Sequence, residues 1–256
     1  MSVAPGSILG FMAIRDLLKS CNALTGNFLD SGCGEGWAAI QLLKLGFTEG
    51  TAIEPSKVAF DRAEARMDQL SEDRITLLNC RIDQLETGGA GYDLGCSFTV
   101  IEHIENDVQY VRELASRVRS GGHVVITVPA RQEKWTLEDD LVGHLRRYSR
   151  ETLEVVMREA GLSNQLQVFG MGWPLMNWTE PLRNLLLKYR HTSNEILPST
   201  EQTELFGVWN IRWLNTFPRM LGLLVNERSL RPFHWAQKLG RNSRSCVMLV
   251  AIAQVG

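Results

Sequence analysis

A short glycine-rich segment carries the clearest chemical signal in the sequence. Residues 28–36 read Phe-Leu-Asp-Ser-Gly-Cys-Gly-Glu-Gly, so three alternating glycines follow an apolar run. Glycine lacks a Cβ, and the chain can therefore turn sharply and bring its backbone N–H groups against a ligand. Glu54, eighteen residues after Gly36, can accept hydrogen bonds from both hydroxyls of a ribose. The pattern predicts a nucleotide-type cofactor site.

The spacing of the glycines distinguishes two cofactor classes. A dinucleotide site requires G-x-G-x-x-G and a helix N-terminus aimed at a pyrophosphate. Here the pattern is G-x-G-x-G, and Asp30 stands two residues before the first glycine. An acidic side chain at this point suits a ligand that has no phosphate and carries an ammonium and a sulfonium. The spacing therefore favours S-adenosylmethionine over NAD.

Three further side chains are candidates for catalysis, namely His103, His144 and Tyr148. A histidine titrates near neutral pH and can take a proton from a sugar or phenol hydroxyl. Each candidate also has a structural interpretation. His103 can cap the next helix or bind a backbone carbonyl, and the polar cluster around His144 and Tyr148 can simply pin a loop.

Three charged neighbours have the same two interpretations. Glu102 can orient His103, approach the charged end of a methyl donor or form a structural salt bridge. Arg146 and Arg147 can hold an acceptor phosphate or carboxylate through bidentate hydrogen bonds, or pair with acidic residues.

Composition limits the class of protein. The 256 residues are 44% hydrophobic and 22% charged, enough to bury a large core. Five cysteines without a C-x-x-C pair predict reduced thiols and a cytoplasmic protein. The longest apolar run, 246–253, is far shorter than the ~20 residues that span a bilayer. The net charge of −2 and the lack of a recognised binding module argue against nucleic acid as a partner.

Short apolar runs alternate with helical periodicity between residues 27 and 170, which is typical of a doubly wound, mostly parallel α/β sheet. Three helices are predicted. The first spans 8–21, the second lies between the fourth and fifth strands and should end at Ser120-Gly121-Gly122, and the third runs from Ser149 to Gly161. His103 and His144 follow strands four and five, at the edge where open α/β sheets bind ligands. Seven strands are predicted, at 27–31, 51–54, 75–79, 92–97, 123–128, 165–170 and 246–253.

The whole chain, 1–256, is predicted to form one domain with four parts. These are an N-terminal helix over the cofactor mouth (1–24), a cofactor-binding core (25–170), a helical insertion (171–244) and the last strand (245–256).

Charge and aromatic content set the insertion apart. Residues 171–256 carry a charge of +5, against −7 for residues 1–170. The insertion can be a lid that fills its own core, an acceptor pocket, or a peripheral membrane contact through 209–244 at the inner face of the membrane. Five of the seven tryptophans lie after residue 170, at Trp173, Trp178, Trp209, Trp213 and Trp235, together with Tyr189, Phe206, Phe217 and Phe233.

Several motifs, taken in order, resemble those of the Rossmann-like S-adenosylmethionine-dependent methyltransferases. The glycine segment 28–36 resembles their cofactor loop, and 52–56 resembles their ribose-binding strand end. Residues 92–94 and 99–107 resemble the fourth-strand segment of a subgroup that includes ubiquinone-pathway O-methyltransferases. Residues 143–149 resemble a turn of bacterial methyltransferases associated with glycan, lipid or secondary-metabolite pathways.

The resemblance implies a set of cofactor contacts and two departures. Arg81 stands where many relatives place an aspartate for the adenine amino group, and Asp83 or the backbone of Ile82 would serve instead. Thr99 stands where some relatives have the first glutamate of a metal-binding Glu-x-x-Glu-His motif, so no metal is expected. The implied contacts are Asp30, Gly32, Cys33, Gly34, Gly36, Glu54, Pro55, Ile82, Asp83, Phe98 and Thr99.

The resemblance also implies a reaction, methyl transfer to a small-molecule or lipid-linked acceptor, with oxygen the favoured nucleophile. A protein or RNA methyltransferase that docks its substrate on the basic insertion is an alternative, and a non-catalytic cofactor-binding member is another.

Overall fold

A seven-stranded sheet with helices on both sides forms the frame of the molecule. A computed structural model of the protein describes residues 5–86, 91–190, 225–243 and 245–256. The strands are β1 (Asn27–Ser31), β2 (Glu49–Ile53), β3 (Ile75–Leu78), β4 (Tyr92–Phe98), β5 (Val118–Pro129), β6 (Asn164–Met171) and β7 (Met248–Gln254). The α-helices are α1 (Pro5–Ser20), α2 (Trp37–Leu45), α3 (Lys57–Leu70), α4 (Asp107–Ser116), α5 (Leu137–Val142), α6 (Arg150–Glu159), α7 (Leu175–Arg190) and α8 (Glu227–Leu239).

The strand order confirms the predicted fold class. The order is β3-β2-β1-β4-β5-β7-β6, and only β7 runs antiparallel to its neighbours. The chain leaves β1 for β2 on one side and returns to β4 on the other. The carboxyl ends of these three strands therefore meet at the point where the winding reverses, which is where open α/β sheets bind ligands.

Two apolar clusters hold the helices on the two faces of the sheet. Helices α4 and α6 pack on one face around Val111, Leu114 and Leu153, which are completely buried. Helices α1 and α2 pack on the other face around Leu17, Leu18 and other buried side chains. The central strands β1 and β4 are therefore packed against helices on both faces of the sheet.

Several predicted boundaries were wrong. Strand β2 spans 49–53, so Glu54 lies just beyond it, and β7 spans 248–254 instead of 246–253. Strand β5 begins at Val118 instead of 123, so the predicted helix stop at 120–122 lies inside a strand. Its early start follows from pairing, because Val118 lies opposite Tyr92 across a register irregularity in β4. Local turn residues do not reveal such a partner.

The ends of the insertion are helical. Helices α7 and α8 lie between β6 and β7, as predicted, and α8 packs on α1. Trp209, Trp213, Phe206, Phe217 and residues 209–224 of the predicted membrane-contact segment lie outside the described residues. So does the side chain of Tyr189. Within the described ranges, the helices are all too short or too polar to traverse a lipid bilayer.

Candidate functional site

The glycine loop leaves β1 as a series of left-handed turns. Gly32, Gly34 and Gly36 have φ angles of 76°, 55° and 73°, which residues with a Cβ rarely adopt. A Cβ at Gly32 would lie 2.5 Å from Cγ2 of Val100, whereas a Cβ at Gly34 would meet no atom within 4 Å. The backbone at Gly34 therefore borders open space, as a cofactor cradle requires.

Glu54 ties the end of β2 to this loop. Its carboxylate accepts hydrogen bonds from the backbone N–H groups of Gly34, at 2.8 Å, and Ser56, at 2.9 Å. Burial raises the pKa of Glu54, although these two N–H groups oppose the rise. Each carboxylate oxygen keeps a further lone pair that can accept a hydroxyl hydrogen. Glu54 can therefore accept from a ribose, and this contact stays a prediction.

Asp30 lies fully buried at the end of β1. Its Oδ2 atom has no hydrogen-bond partner among the described residues, and Sγ of Cys96 lies 3.7 Å from its Oδ1. Burial raises the pKa of this carboxyl group to about 7. A buried acceptor without a partner is rare in proteins and marks a place for a donor. The orphaned oxygen therefore fits the cationic end of S-adenosylmethionine.

The other predicted cofactor contacts lie at the same edge of the sheet. Cys33 is a buried thiol in the loop, and its burial raises its pKa. Ile82 is buried at the start of a short turn after β3, but the exposed carboxylate of Asp83 pairs with Arg81 at 2.8 Å. The remaining three are Pro55, which follows Glu54, and Phe98 and Thr99, at the end of β4. The individual contacts stay predictions.

The structure brings the two predicted histidines together. His103 ends a short 3-10 turn after β4, and His144 lies in the turn after α5. Their ring centroids are 4.8 Å apart, and Nδ1 of His103 lies 3.2 Å from the carbonyl oxygen of Gly143. Burial lowers the pKa of His103 to about 4, and the neighbouring His144 adds to the shift.

Asp139, which the sequence analysis did not identify, anchors this group. Its Oδ1 lies 2.7 Å from Nδ1 of His144, and Arg147 donates two hydrogen bonds of 2.7 Å to its carboxylate. Burial would raise the pKa of Asp139, but these partners hold it well below its usual range. Arg147 also donates to Glu180 of α7 at 3.2 Å. A side-chain network thus connects the insertion to His144.

Glu102 completes the cluster. Its side chain is completely buried, and neither carboxylate oxygen has a hydrogen-bond partner among the described residues. Oε1 lies 3.8 Å from Nε2 of His144, and burial raises the pKa of Glu102 to about 8. Glu102, His103 and His144 each present one ligand atom, all within 4.8 Å of one another, so they could hold a metal ion.

Tyr148 has a different environment from the two histidines. Its side chain is 2% exposed, and its hydroxyl donates to Asp107 at 2.7 Å. Burial and the adjacent carboxylate raise its pKa. Arg146 also pairs with Asp107, at 2.9 Å, so this group holds the turn in place. The geometry favours a positioning role for Tyr148, and its catalytic role stays a prediction.

A parallel sheet with a glycine loop after its first strand and a buried acid after its second defines a nucleotide-cofactor enzyme of the α/β class. A family model described as a methyltransferase domain matches residues 11–167. The chain belongs to this methyltransferase family. S-adenosylmethionine is therefore its cofactor, and the open space at Gly34 and the orphaned oxygen of Asp30 fit that ligand.

Two named proteins resemble part of the chain in sequence. It is 25% identical over 135 residues to a probable S-adenosylmethionine-dependent methyltransferase of Mycobacterium tuberculosis H37Rv, covering 52% of this chain and 47% of that protein. It is 33% identical over 106 residues to a ubiquinone biosynthesis O-methyltransferase of Rickettsia typhi, covering 41% and 42%. The chain thus spans less than half the length of these relatives.

A solved structure shares the fold across most of the chain. A putative sarcosine dimethylglycine methyltransferase from Galdieria sulphuraria aligns with a TM-score of 0.60 at 16% identity, covering 96% of this chain and 86% of that one.

Proposed function

We propose that this methyltransferase methylates an oxygen atom of a small-molecule or lipid-linked acceptor. The observation that carries the proposal is the polar cluster of Glu102, which is buried, with His103 and His144, which are half-buried, in the turns after β4 and α5. Glu102 is completely buried and its oxygens lack hydrogen-bond partners among the described residues, which is costly for a carboxyl group that no ligand contacts. The carboxyl edge of β4 is where the acceptor of a methyl donor held by this loop would lie.

An oxygen acceptor makes a demand that the cluster can meet. S-adenosylmethionine supplies an activated methyl group on a positively charged sulfur. As the new O–CH₃ bond forms, the S–CH₃ bond breaks with its electron pair kept by sulfur. The acceptor hydroxyl gives its proton to a base, for which Nε2 of His144 is the candidate because its Nδ1 faces Asp139. A phenol or another acidic hydroxyl fits best, because it gives up its proton to a base more easily than an alcohol does.

One segment, residues 100–103, borders the cofactor loop and also carries two of the proposed acceptor groups. Val100 would contact any side chain placed at Gly32, and the short turn that begins at Ile101 presents Glu102 and His103. Backbone that positions the cofactor loop therefore also positions the acceptor groups. Methyl transfer depends strongly on such alignment, because donor and acceptor must meet in line.

The named relatives support the choice of oxygen. The relative from Rickettsia typhi is an O-methyltransferase by name, and its similarity covers 41% of this chain. A lipid-linked acceptor draws support from the insertion, where Trp178 and Trp235 are 67% and 66% exposed. We keep a cytoplasmic location with peripheral membrane contact as part of the proposal.

Matched acceptor pairs test the proposal. Purified protein and S-adenosylmethionine are incubated with phenols and with anilines of the same ring, and with a lipid-linked phenol. Mass spectrometry then locates the methyl group. We expect methylated phenols, and no product from Glu54→Ala at the same cofactor concentration. Methyl transfer only to the amines, or only to added protein or RNA, would contradict the proposal.

A further inference from the structure

A buried tyrosine lies at the point where β1 and β4 separate. The last residues that pair across these two strands are Asp30 and Cys96. Ser31 and Ser97 follow them in sequence, one on each strand. The hydroxyl oxygen of Tyr110, on α4, lies 2.6 Å from Oγ of Ser31 and 3.1 Å from Oγ of Ser97. This hydroxyl therefore joins the two strands one residue beyond their last pair.

The hydrogen bonds of this group can all form at once. The phenol hydrogen of Tyr110 is directed at the backbone carbonyl oxygen of Ser31, at 3.2 Å. The phenol oxygen can still accept hydrogens from the hydroxyls of Ser31 and Ser97. These two serines are 1% and 0% exposed, so either hydroxyl would be costly to leave without a partner. Burial raises the pKa of Tyr110, so its hydroxyl keeps its hydrogen at neutral pH.

The peptide unit that opens the glycine loop is bonded on both sides. On the β2 side, the backbone N–H groups of Gly32 and Cys33 donate to the carbonyl oxygen of Ile53, at 2.9 Å and 3.0 Å. On the α4 side, the hydroxyl of Tyr110 donates to the carbonyl oxygen of Ser31. The peptide between residues 31 and 32 is thus held at its N–H by β2 and at its C=O by α4.

Close packing makes the start of this loop sensitive to small shifts. A Cβ at Gly32 would lie 2.5 Å from Cγ2 of Val100, just after β4. A change in the separation of the two strand ends would press Val100 against the loop or open a gap beside it. The group that sets this separation therefore also sets the position of the loop.

We propose that Tyr110 is a positioning residue for S-adenosylmethionine, whose hydroxyl bridges Ser31 and Ser97 and fixes the loop that holds the methionine end of the cofactor. The phenol acts through the backbone of the loop. Without its hydroxyl, the loop would relax on the β4 side, and cofactor binding would include the free energy of restoring it. Tyr110 has this role whichever atom accepts the methyl group.

Tyr110→Phe tests the role, because it removes the hydroxyl and keeps the ring. Calorimetric titration should show about tenfold weaker binding of S-adenosylmethionine. Adenosine lacks the methionine end, and its affinity, measured by competition with the cofactor, should stay within about twofold of the wild type. Unchanged S-adenosylmethionine binding would overturn the proposal. Equal losses for both ligands would overturn it as well, because they would mean that the whole site has loosened.

Tyr92→Phe is the matched control, because Tyr92 also joins two strands through its hydroxyl, which donates to Oγ1 of Thr51 at 2.9 Å. Tyr92 is the first residue of β4, at the end of the strand away from the glycine loop. This variant should lower the melting temperature and leave S-adenosylmethionine affinity unchanged. Both variants are compared well below their melting temperatures. A similar loss of affinity in the control would assign the effect to general destabilisation and overturn the proposal.

Ser97→Ala tests the bridge with a smaller change, and it applies even if Tyr110→Phe folds poorly. It removes the partner on β4 and keeps the bond from Tyr110 to the carbonyl of Ser31. We expect about twofold to threefold weaker S-adenosylmethionine binding. The double variant should bind no more weakly than Tyr110→Phe, because the two hydroxyls act through one hydrogen bond. Unchanged affinity in Ser97→Ala, or losses that multiply in the double variant, would overturn the bridge between β1 and β4.

Discussion

The two halves of the site are built in different ways. On the cofactor side, Gly34 and Glu54 make contact through a backbone N–H group and a carboxylate at strand ends. On the acceptor side, side chains hold other side chains, with Asp139 linking His144 and Arg147. The cofactor side therefore depends on backbone shape, and the acceptor side depends on charge.

This difference separates the effects that substitutions should have. Changes of shape at the loop should abolish cofactor binding, and changes of charge around Asp139 should reduce turnover while leaving cofactor binding in place. The five predictions below test that division, beginning with the largest expected effect.

Gly34→Ala should weaken S-adenosylmethionine binding about 100-fold, because the added methyl enters the open space beside the loop at a φ of 55°. Gly161→Ala is the matched control, since its φ is 92° and its Cβ would also meet no atom within 4 Å. The control should cost about 1 kcal/mol of stability and leave affinity unchanged. Equal cofactor losses in both variants, measured by calorimetry, would mean that backbone strain alone is responsible.

Asp139→Asn should lower kcat about 30-fold. The substitution weakens the hydrogen bond that orients Nδ1 of His144 and removes the negative charge that pairs with Arg147. Cofactor affinity should change less than threefold. Asp16→Asn, which weakens a half-buried carboxylate–histidine pair with His234, serves as the control and should keep kcat within threefold of wild type. A large loss of cofactor affinity in Asp139→Asn would contradict the assignment of cofactor binding to the loop and of turnover to the group around Asp139.

Cofactor affinity should rise about fivefold to tenfold from pH 6 to pH 7.5. Burial raises the pKa of Asp30 to about 7, so the fraction of this acid that is ionised grows across this interval. The cationic cofactor binds better to the ionised carboxylate than to the protonated acid. Calorimetry in two buffers of different ionisation enthalpy should show proton release on binding at pH 6.5. Asp30→Asn should give flat affinity, and a wild type with flat affinity would show that Asp30 does not face the cofactor.

The stability of the unliganded protein should change in the opposite direction. Because the pKa of Asp30 is raised on folding, the folded state holds this proton more tightly than the unfolded chain. Its contribution is fully present below the unfolded pKa and is lost as pH rises through about 7. Denaturant titrations at pH 5 and pH 8 should show a smaller difference in Asp30→Asn than in the wild type.

Glu180→Gln should have the smallest effect, a twofold to threefold drop in kcat. Arg147 would keep its two bonds to Asp139 and lose only the charge of the partner on α7. Steady-state assays with a phenol acceptor measure it. A tenfold drop would mean that the insertion controls the cluster far more strongly than its single ion pair indicates.

The sequence predicted the cofactor half better than the acceptor half. The glycine loop and Glu54 lie at strand ends, where local patterns reveal both the turn and its edge of the sheet. The sequence analysis did not single out Asp139, whose local role is to accept from Thr136 in a helix capping box. That local role hides its contacts with His144 and Arg147, which only the folded turn creates.

Glu102 shows a second limit of sequence reasoning. The sequence placed it next to His103, but its Oε1 faces Nε2 of His144, forty-two residues later, across 3.8 Å. Its burial, and its lack of hydrogen-bond partners within the described ranges, arise from tertiary packing. Likewise, strand β5 starts at Val118 because β4 pairs with it there, although Gly121 and Gly122 indicated a turn.

The most direct test of the account is calorimetric titration of the wild type and of Glu54→Ala with S-adenosylmethionine and, separately, with NADH. The account predicts one-site binding of S-adenosylmethionine by the wild type, at least tenfold weaker binding by the variant, and no binding of NADH. Unchanged affinity in Glu54→Ala, or no binding by the wild type, would contradict the placement of the cofactor between the glycine loop and the end of β2.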